Sequence, residues 1–193
     1  MVRRRVRIMR AAVALLLLSV AAMVMWPSRP AAPALTMNVA PVAALPAAPA
    51  AWTGDDTGCV VPDPTGTGGC VAGSTAWMID QLRSGFGELP TTCWSEHAWN
   101  PASDHPAGLG CDFFFGATGE FPTGAELSLG WTVAEWLRVH AADLRVSYVI
   151  WQGRIWTHDR AVEGWRPYTG GGVYDAQDAT GGHYDHIHVS LRG

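Results

Sequence analysis

Apolar positions recur at helical spacing in two stretches of the chain. Trp77, Met78, Leu82 and Phe86 share one face of a helix over residues 74–86, with Ser74 or Thr75 as its cap. Further on, Thr123-Gly124-Ala125-Glu126 has capping-box spacing. Leu127, Trp131, Ala134 and Leu137 follow at the same period, which predicts a second helix over residues 123–144. Elsewhere the pattern shortens to runs rich in Val, Ile, Tyr and Trp. Residues 146–152 and 153–156 read as strands joined by a tight turn, and residues 111–115 and 186–191 as two more. Residues 164–182 read as a glycine-rich loop whose Gly170-Gly171-Gly172 run forms a mobile flap beside the last strand. No Gly-Lys-Ser/Thr follows, so it does not match a phosphate loop. Helices mixed with mostly antiparallel strands indicate a single α+β domain, a small sheet flanked by helices.

The first part of the chain departs from this pattern. Residues 1–10 hold five arginines, and an uncharged apolar run follows over residues 11–26. That is the layout of an export signal, short against the roughly 20 residues of a membrane span, so residues 1–26 are read as a signal peptide or signal anchor. Residues 27–52 are mostly Ala and Pro, and residues 27–58 read as an Ala/Pro-rich disordered tether. The folded domain is then expected over residues 59–193, extracytoplasmic and monomeric, touching membrane only through the N-terminal segment if that is retained.

Charge and cysteine narrow the class further. Beyond Gly54 the chain carries seven arginines, seventeen carboxylates and no lysine, a surface that repels phosphate backbones and excludes nucleic acid as a partner. The four cysteines suit two disulfides in an oxidising compartment. Of three connectivities, Cys59–Cys70 closes a Gly/Pro/Thr-rich loop and Cys93–Cys111 pins a segment to the strand that carries Asp112. A tetrathiolate zinc site is the competitor, but no Cys-x-x-Cys spacing occurs.

Two clusters carry candidate chemistry: Ser103-Asp104-His105-Pro106-Ala107-Gly108-Leu109-Gly110-Cys111-Asp112 and His183-Tyr184-Asp185-His186-Ile187-His188. A loop bearing His105 and a strand bearing Asp112 can return both side chains to one point. On a strand, His186 and His188 share a face because side chains alternate. A His, a carboxylate and a His-x-His are the ligand chemistry of a catalytic zinc with an open position for water. Asp185, at the entrance of the strand, is placed to bend toward the same pocket as a general base, the other reading being that it caps the strand or orients a ligand from behind.

At these residues the chain resembles the LAS-type zinc metallopeptidases, the superfamily of lysostaphin, D-alanyl-D-alanine peptidases and hedgehog. Ser103, His105, Gly108 and Asp112 match its first motif, Ser-x-His-x-x-Gly-x-Ala-x-Asp, with Gly110 in place of the alanine. The stretch Cys93-Trp94-Ser95-Glu96-His97 is similar to one in secreted actinobacterial proteins of that kind. The resemblance implies His105, Asp112 and His188 as zinc ligands, Asp185 as general base, and His186 as a group at the transition state or one supporting the ligands from behind. It also implies hydrolysis of amide bonds in peptidoglycan stem peptides, by a carboxypeptidase or an endopeptidase. Relatives that cleave terminal D-alanine carry an arginine upstream of the first motif. Residues 92–100 contain none here, which leaves Arg154 or Arg166 as substitutes. A non-catalytic zinc-binding or wall-binding module on the same fold is the alternative.

The remaining aromatic and imidazole groups are read as follows. Trp77, Trp131 and Trp136 sit at core positions of the helices. Trp94, Trp99, Trp151, Trp156 and Trp165 lie near the site and either pack the core or wall the cleft for sugars and peptide stems, with Trp99 and Trp151 as substrate contacts. His97 either stacks in the cleft or, the favoured reading, packs as a surface residue, and His140 and His158 are read as helix-end and loop residues outside the site.

Overall fold

The computed structural model describes residues 45–55 and 58–193. The expected export segment, and the tether as far as residue 44, lie outside the described residues. The domain is α+β. A two-stranded hairpin, β1 (Val61–Pro62) and β2 (Cys70–Val71), leads into helix α1 (Gly73–Phe86). Next come β3 (Thr91–Thr92), β4 (Gly110–Phe114) and helix α2 (Gly124–Val139). The chain ends with β5 (Val146–Trp151), β6 (Arg154–Thr157), β7 (Arg166–Pro167) and β8 (His186–Leu191). β3 to β8 form one sheet in the order β3-β4-β8-β5-β6-β7, antiparallel at every pairing.

β8 lies between β4 and β5, and all six of its residues are buried. Its two faces do different things. Ile187, Val189 and Leu191 join the core, while His186 and His188 line the opposite, open face. Met78, Ile79 and Leu82 of α1 and Val133, Ala134, Trp136 and Leu137 of α2 complete that core, each set on a single helical stripe. Gly130 is what lets α2 lie close: a Cβ there would meet Trp151 Cζ2 at 2.2 Å.

Several expectations are revised. Ser74 and Thr75 are buried and cap nothing; α1 starts at Gly73 without a side-chain cap, and Thr75 Oγ1 instead donates 2.8 Å to the Gly108 carbonyl. Thr123 makes no side-chain cap bond, and α2 stops at Val139, five residues short. Turns over residues 140–145 end at Arg145 in the left-handed region (φ 57°), from which the chain enters β5. Trp136 is core, Trp131 packs against it, and Trp77 is half-buried beside Trp52.

Both disulfides pair as the spacing suggested, Cys59 with Cys70 and Cys93 with Cys111. They fit an extracytoplasmic environment. Among the described residues no helix is long and apolar enough to cross a membrane. The end of the Ala/Pro stretch lies against the domain: Trp136 Nε1 donates to the Pro46 carbonyl, Trp77 Nε1 to that of Ala50, and Trp52 N to that of Asp143.

Candidate metal centre and cleft

The antiparallel register puts Asp112 of β4 directly opposite His188 of β8, and Ile150 of β5 opposite His188 on the other side. His105 reaches the same point from the loop before β4. That loop is shaped by Gly108, where a Cβ would lie 2.6 Å from Val71 Cα, and it is tied down by Thr75. The result is a buried His105–Asp112–His188 group that can hold a metal ion, with one ligand atom from each within 4.8 Å of the others.

The hydrogen bonds behind these residues fix which atoms point inward. His105 Nδ1–H donates to the Cys93 carbonyl, so Nε2 faces Asp112 Oδ2 at 3.4 Å. His188 Nε2–H donates 3.0 Å to Ser190 Oγ, which donates 2.7 Å to Asp104 Oδ2; Tyr148 OH donates to the same oxygen at 2.7 Å. That leaves His188 Nδ1 bare and 2.8 Å from Asp112 Oδ1. Two electron-rich atoms this close need a proton or a cation between them, and the donor set of two imidazoles and one carboxylate suits a divalent metal. Without a metal, electrostatics acts through protons. Burial alone would raise the Asp112 pKa, but His105 and His188 hold it well below the carboxylate range. Burial works against a charged His105, yet Asp112 beside it leaves that pKa raised.

The other residues expected at the site separate. His186 lines the cleft, its Nε2 3.7 Å from Asp112 Oδ1. Asp185 does not reach the cleft, which corrects its expected place as a base facing the metal's water. It lies in the bend before β8, outside the strand, and its side chain turns onto the Nδ1 edge of the His186 ring. There it is 0% exposed, with Oδ1 accepting from His186 Nδ1 at 2.6 Å and Oδ2 from Gly119 N and Thr180 Oγ1 at 2.6 and 2.7 Å. Burial tends to raise its pKa, but these bonds bring it down to about 2.

Trp151 is also corrected: it is 0% exposed in the core, edge-on to Phe115. Arg154 pairs with Pro167 at the sheet's edge, on the face away from Ile150 and Ile155, and does not line the cleft. Arg166 donates to Thr157 Oγ1 and is not a lining residue either. Trp99 is at the cleft and 67% exposed. Trp156 is core, and Trp165 packs edge-on against Trp131. His140 packs on Trp136 and His158 near Trp156, both outside the cleft.

His97 is a further correction, since it lines the cleft with its ring stacked on His105 at 4.6 Å and tilted on Trp99 at 4.8 Å. Burial, then the nearby His105, lowers its pKa. The cleft encloses about 410 Å³. Beside Trp99 its walls are mostly tyrosines: Tyr148 from β5, and Tyr168 and Tyr174 from the glycine-rich loop. That loop forms a 3-10 turn at Gly170–Gly172, and Asn100 Nδ2 donates 3.1 Å across to Tyr174 OH. His183 was quoted in the second cluster without a role, and the structure brings it beside His186 and His188. Burial, reinforced by those two imidazoles, holds its pKa well below the usual value. Asp104, Tyr148 and Ser190 were missed as well. Ser190 alone had a signal, the next same-face position after His186 and His188.

Fold and site together define a disulfide-braced α+β domain with a His–Asp–His ligand group in an open cleft. The chain belongs to the VldE C-terminal domain family, whose model matches residues 67–183. The match takes in His105 and Asp112 and stops before β8. No curated protein and no solved structure matches the chain, so the likeness to LAS peptidases rests on the motif residues themselves.

Proposed function

We propose that the domain is an exported zinc peptidase that hydrolyses amide bonds in peptidoglycan stem peptides. The observation that carries the reading is the pairing of the ligand group with a braced imidazole. His105, Asp112 and His188 converge, and His186 stands 3.7 Å from Asp112 with a buried carboxylate behind it. When bound, zinc supplies Lewis acidity, which acidifies water and polarises an amide carbonyl.

The chain's own groups do the rest. His186 Nε2 takes the proton from the attacking water and returns it to the departing amine. Asp185 acts through His186: it fixes the proton on Nδ1, keeps Nε2 as the acceptor and stabilises the imidazolium that forms. Tyr148, Tyr168, Tyr174 and Trp99 offer flat walls for the small side chains of a stem peptide. No arginine lines the cleft among the described residues, and the chain has no lysine. A free terminal carboxylate would therefore find no cationic side chain there, which favours an internal amide bond over a C-terminal one.

The test is to incubate zinc-loaded protein, disulfides intact, with muropeptides beside a His186→Ala control. Near-stoichiometric zinc and stem fragments released by the wild type alone are expected. Stoichiometric zinc with no cleavage of any muropeptide would leave a metal-binding wall module instead.

A further inference from the structure

The turn before β8 holds an imidazole that the scheme above does not use. His183 is 7% exposed and lines the cleft. Its ring centroid lies 4.7 Å from that of His186 and 5.6 Å from that of His188, with Tyr168 edge-on at 5.0 Å. Its Nδ1 is buried with no hydrogen-bond partner. Buried polar atoms are almost always partnered, and one left alone calls for a reason. Among the described residues, no other that lines the cleft carries such an atom. The backbone holds the ring in place: φ is 56°, the peptide N–H donates to the Thr180 carbonyl, and the His183 carbonyl accepts from Gln152 N.

A neutral imidazole has one N–H and one lone pair. Nδ1 is enclosed, so Nε2 is the ring nitrogen that His183 offers to the cleft it lines. We infer that His183 is a further catalytic residue, one that donates its N–H to the carbonyl oxygen of the scissile amide as that oxygen gains charge. The inference rests on the amide-hydrolase reading. As the water oxygen bonds to the carbonyl carbon, the π pair moves onto the carbonyl oxygen and the His183 N–H bond stays intact. The water's proton passes to His186, then to the nitrogen that leaves as the C–N bond breaks. A donor aimed at developing charge in a cleft of this kind accounts for about 10²- to 10³-fold in kcat.

His183→Phe and His183→Gln test this in the zinc-loaded full-length protein, with a phosphinate pseudopeptide as the tetrahedral probe. His183→Phe is expected to keep wild-type zinc content and melting temperature, to change KM by less than about threefold, and to lower kcat about 10²- to 10³-fold. By calorimetry it should bind the phosphinate about 10²-fold more weakly and the cleaved peptide as tightly as the wild type. His183→Gln, which keeps an N–H, should recover part of both losses. Equal kcat and equal phosphinate affinity in wild type and His183→Phe overturn the inference while the hydrolase reading stands. Zinc loss in His183→Phe overturns it too, because the ring would then serve metal-site assembly. A wild-type protein that neither cleaves muropeptides nor binds the phosphinate overturns the hydrolase reading, and this inference with it.

Discussion

At the scale of single residues the ligand trio was legible, because His105 and Asp112 sit in one motif and strand alternation sends His188 to the same face. Asp185 was misread because it lies one residue before β8, in a bend that strand periodicity does not describe. There its oxygens meet Gly119, Thr180 and His186 Nδ1. Asp185→Asn should therefore retain zinc while losing roughly 10²- to 10⁴-fold in kcat, since the wrong His186 tautomer would face the cleft; metal analysis and steady-state kinetics check both halves. The depressed Asp185 pKa adds a pH signature. A carboxyl held at about 2 contributes stability above the ordinary carboxylate range, which is lost as pH falls from about 4 toward 2. Denaturant midpoints measured between pH 5 and 2 should fall for the wild type and fall less for Asp185→Asn. His183 was not legible as a site residue. Its position is set by a left-handed turn and by tyrosine rings of the glycine-rich loop that leads into it, and neither leaves a periodic trace.

At the scale of elements, apolar periodicity placed both helices and the four long strands to within a residue or two, except at the end of α2. There the apolar pattern runs on through Ala141 and Leu144, both buried, but they are packed by turns instead of helix. Packing can bury a side chain in either form, so the pattern alone does not separate them. The Cys93–Cys111 bridge ties β4 to the segment whose carbonyl orients His105. Replacing both cysteines with serine should cost about 3 kcal/mol by the loop-closure relation. It should also weaken zinc binding roughly 10- to 100-fold, as loss of an orienting partner does. Urea unfolding and chelator competition measure the two effects. Gly130→Ala would press a methyl into Trp151 and should destabilise the fold by about 1–3 kcal/mol, read as a lower thermal midpoint.

For the molecule as a whole, composition marked an Ala/Pro spacer but not that its last residues settle on the domain, since those contacts are made largely by backbone carbonyls that any sequence offers. A chain cut to start at residue 59 loses the carbonyls that receive Trp136 and Trp77. Its stability should drop by about 1–3 kcal/mol with zinc content unchanged, as calorimetry and metal analysis would show. Beneath this lies a property of β8. One strand supplies the core through Ile187, Val189 and Leu191 and the site through His186 and His188. A slip of one residue against β4 would bury imidazoles among aliphatics and strand isoleucine in the cleft, so a misregistered chain fails before it can bind anything. Folding thus proofreads the chemistry: any copy whose hydrophobic centre has closed in this register has also been certified as carrying an assembled ligand set.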